Sequence, residues 1–401
     1  MPPEITSALL RRRSMNTPAR IDAPMTGPAP KPRYIMIGGF LGAGKTTAVG
    51  KLAKHLADQG LRVGLITNDQ GRNLVDTAML RSQGFATEEI PGGCFCCRFN
   101  SLVEASQRLN ETTRPDVFVA EPVGSCTDLA ATVTYPLRRL YGTSFTVAPV
   151  SVLLDPIRAL RVFGVEPGGN FSDKVLYIYL KQVEEADLVV INKCDLLEAQ
   201  RLESLRRAIE ARFPGKEILM VSAREGTNLG AWFARTTSEV QVAHTAMDID
   251  YQAYADGEAL LGWLNGTVKI SASQTFDADL FLKELAGAIQ TRLKATNAQV
   301  AHLKMTFSPE GSLTGHIAAV NLVRDDIVPE LSFQLEAPVT NGELIINLRA
   351  EAAPDVLGTA VREGLAATGG KFPTLQATLD HLEHFRPGKP TPTHRMREIA
   401  G

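Results

Sequence analysis

Tyr34-Ile35-Met36-Ile37-Gly38-Gly39-Phe40-Leu41-Gly42-Ala43-Gly44-Lys45-Thr46-Thr47 decides how this chain is read. Tyr34 to Ile37 reads as a short buried strand. Gly39 to Thr46 fits the pattern Gly-x4-Gly-Lys-Ser/Thr, and Val49, Leu52, Ala53 and Leu56 follow at helical spacing. Strand, glycine loop and helix are the context that makes this pattern a phosphate-binding loop. Glycines let backbone N–H groups approach a phosphate with no Cβ in the way. The start of the following helix adds free N–H groups and the positive end of its dipole. Lys45 supplies a point charge at the outer phosphates, and the Thr46 hydroxyl is placed to ligate Mg2+. The nucleotide contacts expected here are Gly39, Gly42, Ala43, Gly44, Lys45, Thr46 and Thr47. A glycine-rich turn with no ligand is the competing reading; the flanking strand and helix argue against it.

Working outward, short apolar runs recur and each ends in a polar motif. Leu61 to Thr67 runs into Asn68-Asp69-Gln70-Gly71, and Thr87 to Ile90 into Pro91-Gly92-Gly93-Cys94-Phe95-Cys96-Cys97. Asp116 to Ala120 ends in Glu121-Pro122-Val123-Gly124, and Val150 to Leu154 at Asp155. Asp187 to Ile191 ends in Asn192-Lys193-Cys194-Asp195, and Glu217 to Val221 in Ser222-Ala223. Helical patterns lie between most of them, for example Val175 to Glu185 and Ala199 to Phe213. Strands alternating with helices predict a parallel sheet covered on both faces, with ligands at the carboxyl ends of its strands. Every polar motif above falls at such an end.

Five of those ends carry specific chemistry. A carboxylate at Asp195 can accept from guanine N1–H and N2–H2, a donor pair that adenine lacks. Asn192 would hold the loop, the Lys193 stem would lie over the base, and Ser222-Ala223 would give a further base contact. Glu121 and Asp69 end neighbouring strands and are expected to face Mg2+ or the attacking water, while Gly124 offers an N–H to the γ-phosphate. Cys94-x-Cys96-Cys97 groups three thiols, which suit a borderline ion, Zn2+ above all, or another transition metal. Asp69 or a water would complete that site. Inert buried thiols and a redox pair are the alternatives. His381 and His384 are spaced to share a helix face, with His394 beyond. An accessory metal site and a solvated helix both fit them. Cys126 and Cys194 read as packing or loop residues.

The chain has 401 residues, 44% hydrophobic and 21% charged, as in a soluble globular protein of two or three domains. A net charge of −2 leaves no electrostatic footprint for nucleic acid. No apolar run reaches the roughly 18 residues of a membrane span. Five cysteines, three of them within four positions, are not a disulfide framework and point to a reducing, cytoplasmic setting. Residues 1–33 read as a disordered basic, proline-rich tail, with Met15 or Met25 as alternative starts. Residues 34–232 form the nucleotide domain, 233–256 a polar linker and 257–371 an α+β domain. Residues 372–401 read as a tail containing Pro and His. The fold class is thus α/β with a smaller C-terminal α+β domain.

Together these motifs resemble the CobW-like family of P-loop GTPases, relatives of the UreG and HypB nickel-insertion GTPases. The residues that carry the resemblance are Gly39 to Thr47, Asn68-x-x-Gly71 followed by Asp76, and Glu89 ahead of Gly93 to Cys97. Glu121-x-x-Gly124 and Asn192 to Asp195 complete the set. Where the family usually has Glu, Phe and often an acidic residue, this chain has Asp69, Gln70 and Arg72. The resemblance implies a P-loop NTPase fold and GTP hydrolysis with Mg2+. It also implies delivery of a transition metal to a client metalloprotein, and leaves homo-oligomerisation open. Lys45, Thr46, Asp69 and Glu121 would carry the phosphoryl chemistry, with no arginine finger evident. A small-molecule kinase on the same loop and a GTP-gated regulator that carries no metal are the other function classes.

Overall fold

Strand β1 (Arg33–Gly39) lies at the centre of a parallel sheet because both of its faces are apolar. Tyr34 and Met36 join one core, and Ile35 and Ile37 the other. Phe118 and Ala120 against Val117 and Val119 repeat this two-residue period on β4 (Val117–Glu121). The computed structural model describes residues 31–69, 75–242, 245–311 and 316–397. The tail through residue 30, Gln70, Gly71, Arg72 and residues 398–401 lie outside the described residues, and with them part of the motif that begins at Asn68.

The remaining strands of this sheet are β2 (Val63–Asn68), β3 (Ala86–Ile90), β5 (Thr146–Val147), β6 (Ser151–Leu154), β7 (Leu188–Ile191) and β8 (Glu217–Met220). Their order is β3-β2-β4-β1-β6-β7-β8, with β5 beside the start of β1. Every pair is parallel. The chain leaves β1 for β2 on one side and later returns to β6 on the other. The phosphate loop therefore opens at the point where strand order reverses, the place such sheets bind ligands.

A second sheet is antiparallel, in the order β12-β11-β10-β13-β9-β14. Its strands are β9 (Leu261–Phe276), β10 (Gln299–Pro309), β11 (Ala318–Leu322), β12 (Glu330–Phe333), β13 (Val339–Glu351) and β14 (Leu375–Phe385). Helices Ala278–Ala295 and Pro354–Gly369 cover one face, where Leu285, Ile289 and Val361 share a core with Leu303, Met305, Ile346 and Leu348. The other face carries His302, Lys304, Asn347 and Arg349, all but Lys304 fully buried. That polar face meets the nucleotide domain rather than water: Val75 N–H donates to Asn347 Oδ1 at 2.9 Å.

Two readings of the chain's organisation need correction. The stretch 233–256 is not simply a linker. Helix Leu229–Ser238 enters it, and helix Tyr251–Leu260 begins in it, N-capped by Asp250, which accepts from Gln252 and Ala253 N–H. The second helix buries Tyr254, Gly257 and Glu258, a face too polar to show an apolar period. Residues 372–401 are likewise not wholly a tail. Leu375–Phe385 is an edge strand paired with β9, so His381 and His384 stand on a strand and do not share a helix face. His381 approaches Glu383, His384 approaches Asp355, and His394 packs edge-on against Phe99. No histidine joins a ligand group among the described residues.

Glu185, at the end of helix Asp173–Glu185, makes stability depend on pH. Burial, helped by the charge of Asp128, pushes its carboxyl up to about 8, against 4.5 in its ordinary state. The folded chain therefore holds a proton there that the unfolded chain releases, so stability falls as pH rises from about 4.5 to about 8. Glu185→Gln keeps an acceptor for Ala130 N–H and a partner for the Thr127 hydroxyl without the titration. Denaturant melts should show the variant gaining on wild type between about pH 5 and pH 8, by roughly 3–4 kcal/mol. A constant difference across that range would refute the assignment.

Candidate functional site

The site is built at the ends of β1, β4 and β7. Gly39 and Gly44 take positive φ, and the reason is space as well as angle. A Cβ on Gly39 would sit 2.3 Å from Leu153 O, and one on Gly44 2.5 Å from Asn192 Nδ2. No side chain caps helix Lys45–Asp58, so its first N–H groups face the loop's cavity. Asn192 ties the loops together: Nδ2 donates to Ala43 O at 2.9 Å, and Oδ1 accepts from Ala223 N–H at 3.0 Å. Lys193 Nζ donates to Gly42 O and Asp155 Oδ2, both at 2.7 Å, so its stem crosses the loop. Asp195 is exposed and lines the same cavity of about 690 Å3 as Thr47, Lys45, Ala223 and Gly124. Ser222 shapes the last loop by accepting from Glu225 N–H on its hydroxyl.

Phosphate-end chemistry gathers around Thr46. Its Oγ1 lies 2.7 Å from Asp76 Oδ1 and 2.9 Å from Glu121 Oε1. Among the described residues, Glu121 Oε2 is buried without a hydrogen-bond partner. A hydroxyl and two carboxylates, one of them with an orphaned oxygen, are the hard donors that suit Mg2+. Burial, and then the Asp76 charge, pushes the Glu121 carboxyl up to about 7. Lys45 is buried beside them, and burial lowers its ammonium. Asp69, expected beside the magnesium or completing the thiol site, has both carboxylate oxygens on Arg349 Nη2, at 2.9 and 3.1 Å. It lines the cavity and is absent from the thiol group.

Those thiols do converge. Cys94 and Cys96 Sγ lie 2.8 Å apart, Cys94 and Cys97 3.3 Å, and Cys96 and Cys97 3.7 Å. A tetrahedral ion with Zn–S near 2.3 Å spaces its sulfurs about 3.8 Å apart, so a small expansion admits it. The loop is held from β2, where Asn68 Nδ2 donates to Ile90 O and Gly93 O at 2.8 and 2.6 Å. Hydrogen bonds from Cys126, then Cys96 and Cys97, hold the Cys94 thiol well below its ordinary range.

Cys126 is thus no mere packing residue. It closes a turn with Val123, two positions beyond Gly124, and Gln182 Nε2 clamps both Gly124 O and Cys126 O. A second addition is the segment after β14. Thr391 N–H donates to Cys97 Sγ at 3.2 Å, and Thr393 N–H to Cys96 O at 2.8 Å. Lys304, His302 and Arg324 of the second domain also line the nucleotide cavity. For His302 and Lys304 the one signal in the sequence is that polar residues alternate with apolar ones along β10; Arg324, after β11, has none.

The CobW/HypB/UreG nucleotide-binding domain model matches residues 33–220. The chain is 31% identical over 212 residues to a zinc chaperone CobW of Sinorhizobium sp, covering 48% of this chain and 58% of that one. It is 30% identical over 178 residues to the zinc chaperone YeiR of Escherichia coli (strain K12), covering 44% and 50%. With the zinc-regulated GTPase metalloprotein activator 1 of Dictyostelium discoideum it shares 26% over 238 residues, covering 51% and 50%. The chain spans about half the length of the curated relatives it matches. No helix among the described residues is long and apolar enough to cross a membrane.

Proposed function

We propose, from the premise that residues 33–220 are a nucleotide-binding domain of the CobW/HypB/UreG family, that this protein hydrolyses GTP and carries a thiophilic metal ion, zinc first, to a client protein. The observation that carries the reading is a juxtaposition. Asn192 locks the loop that carries Asp195 onto the phosphate loop, and Asn68, at the carboxyl end of β2, holds the three-thiol loop.

In hydrolysis a water oxygen bonds to the γ-phosphorus as the bond to the β–γ bridging oxygen breaks, giving GDP and phosphate. Positioning and charge neutralisation do most of this work. The loop amides and Lys45 hold the phosphates, and the Gly124 N–H faces the γ-phosphate. Thr46, Glu121 and Asp76 would hold Mg2+, which neutralises charge on the β- and γ-oxygens when bound. Asp69 is held by Arg349 and is proposed to face the water side of the cavity. Asp195 selects the base. Free thiols at Cys94, Cys96 and Cys97 suit a cytoplasmic, reducing setting.

Asp195→Ala tests the nucleotide assignment. GTP turnover at low substrate should fall, and preference over ATP should shrink by roughly 10²-fold or more, because the guanine donors lose the carboxylate that accepts from them. Unchanged preference would overturn it. Run with labelled GTP, the same assay separates free phosphate, expected here, from a phosphorylated acceptor, which a small-molecule kinase would give.

A further inference from the structure

Two cations stand among the phosphate-end carboxylates, and one of them comes from the other domain. Lys45 belongs to the phosphate loop. Lys304 belongs to β10, where Leu303, Met305 and Phe307 enter the second domain's core. The two-residue period turns Lys304 the opposite way, toward the nucleotide domain. Its Nζ donates to Thr46 Oγ1 at 3.2 Å and forms a salt bridge with Asp76. Only 16% of the side chain is exposed.

The arrangement has a chemical reason. Thr46 has one hydroxyl proton, yet its oxygen lies within hydrogen-bond distance of two carboxylates. An ammonium has three N–H donors and a full charge, so it can satisfy what the hydroxyl cannot. Removing one partner from a buried charge cluster leaves a carboxylate without compensation, which is costly.

The same oxygens are the magnesium ligands argued above. Around an ammonium they stand about 2.7–3.2 Å from the cation, and around Mg2+ they close to about 2.1 Å. Mg2+ bound to Thr46 and Asp76 leaves no room for Nζ between them. One position serves one cation.

We propose that Lys304 is a built-in counter-cation of the magnesium-ligand set, competing with Mg2+ for Thr46 and Asp76. Loading of Mg2+ with nucleotide then breaks a direct bond between the two domains. The second domain reads nucleotide occupancy through its own sheet. Two further contacts on that face give it leverage: Arg349 on Asp69 and Asn347 on the Val75 N–H. The inference rests on the reading of the cavity as a GTP and Mg2+ site. It adds a positioning residue more than 250 positions downstream of the phosphate loop.

The test uses Mn2+ as the probe on the full, nucleotide-free chain, with free Mn2+ followed by electron paramagnetic resonance. Lys304→Met should bind Mn2+ at least about tenfold more tightly than wild type, within the usual range of coupling between sites. Lys304→Gln carries the same expectation and keeps a polar group in the interface should the methionine not fold. Lys304→Arg retains the charge and should behave as wild type. Neutral variants that bind Mn2+ within about twofold of wild type would overturn the proposal. Fluorescent GDP binding is measured alongside. No guanine nucleotide binding by wild type would defeat the reading of the cavity itself. Nucleotide binding with Mn2+ affinity indifferent to Lys304 would defeat the counter-cation alone.

Discussion

Lys45→Ala should lower GTP turnover by roughly 10²–10³-fold, the usual cost of removing one preorganised group aimed at charge that develops in the transition state. Lys45 is 7% exposed, and among the described residues its ammonium makes one long hydrogen bond, 3.4 Å, to Phe40 O. Burial destabilises its charge, and Glu121 and Asp76 offset this only in part. A charge held in that way is poised for a stronger anion than the protein itself supplies. The loss should fall on kcat more than on KM, because the loop amides and the helix N-terminus keep most ground-state binding. Single-turnover phosphate release with saturating GTP is the measurement. Turnover within about threefold of wild type would show that the loop does not act on the phosphates. An increase in KM alone would mean Lys45 binds substrate without assisting the reaction.

Replacing Cys96 and Cys97 together by serine should have a still larger effect, on metal. A closed zinc site is worth about 10–16 kcal/mol, or about 3 kcal/mol for each of four ligands, so two lost thiolates should weaken Zn2+ binding by roughly 10⁴-fold. Chelator competition reads this directly, and guanine nucleotide affinity in metal-free buffer should stay nearly unchanged. In wild type, the same competition in GDP and in a non-hydrolysable GTP analogue tests whether the sites are linked. Cys126 gives that link a route: it touches Cys94 and lies two residues beyond Gly124. Movement of Gly124 toward a γ-phosphate should carry the Cys126 thiol with it and change Zn2+ affinity roughly 5- to 150-fold. Equal affinities in the two nucleotide states would refute the link while leaving zinc binding intact. Serine variants that still hold Zn2+ tightly would remove the thiols from the site.

The sequence by itself determined the nucleotide domain and nearly all of its strand-end motifs. The reason is that those signals are local. A phosphate loop is eight consecutive residues between a strand and a helix, and three thiols within four positions meet whatever surrounds them. The alternation of strand and helix made the parallel sheet legible, and each motif then fell at the carboxyl end of a strand. In the second domain the two-residue period of β10 and β13 was legible as one apolar and one polar face. What the polar face meets was not. A polar face reads as a solvated one, yet here it lies on the phosphate loop.

Only the tertiary structure brought Lys304 to Thr46, Arg349 to Asp69, Cys126 to Cys94 and Thr391 to Cys97. It also turned a stretch read as tail into edge strand β14, because pairing with β9 supplies the order that its few apolar residues do not. Lys304 and Thr46 are 258 positions apart, and Arg349 and Asp69 are 280. No local propensity specifies such a pair. Its position is set by how two separately formed cores stack, and a buried charge is tolerated there only because the opposite charge arrives from the other domain.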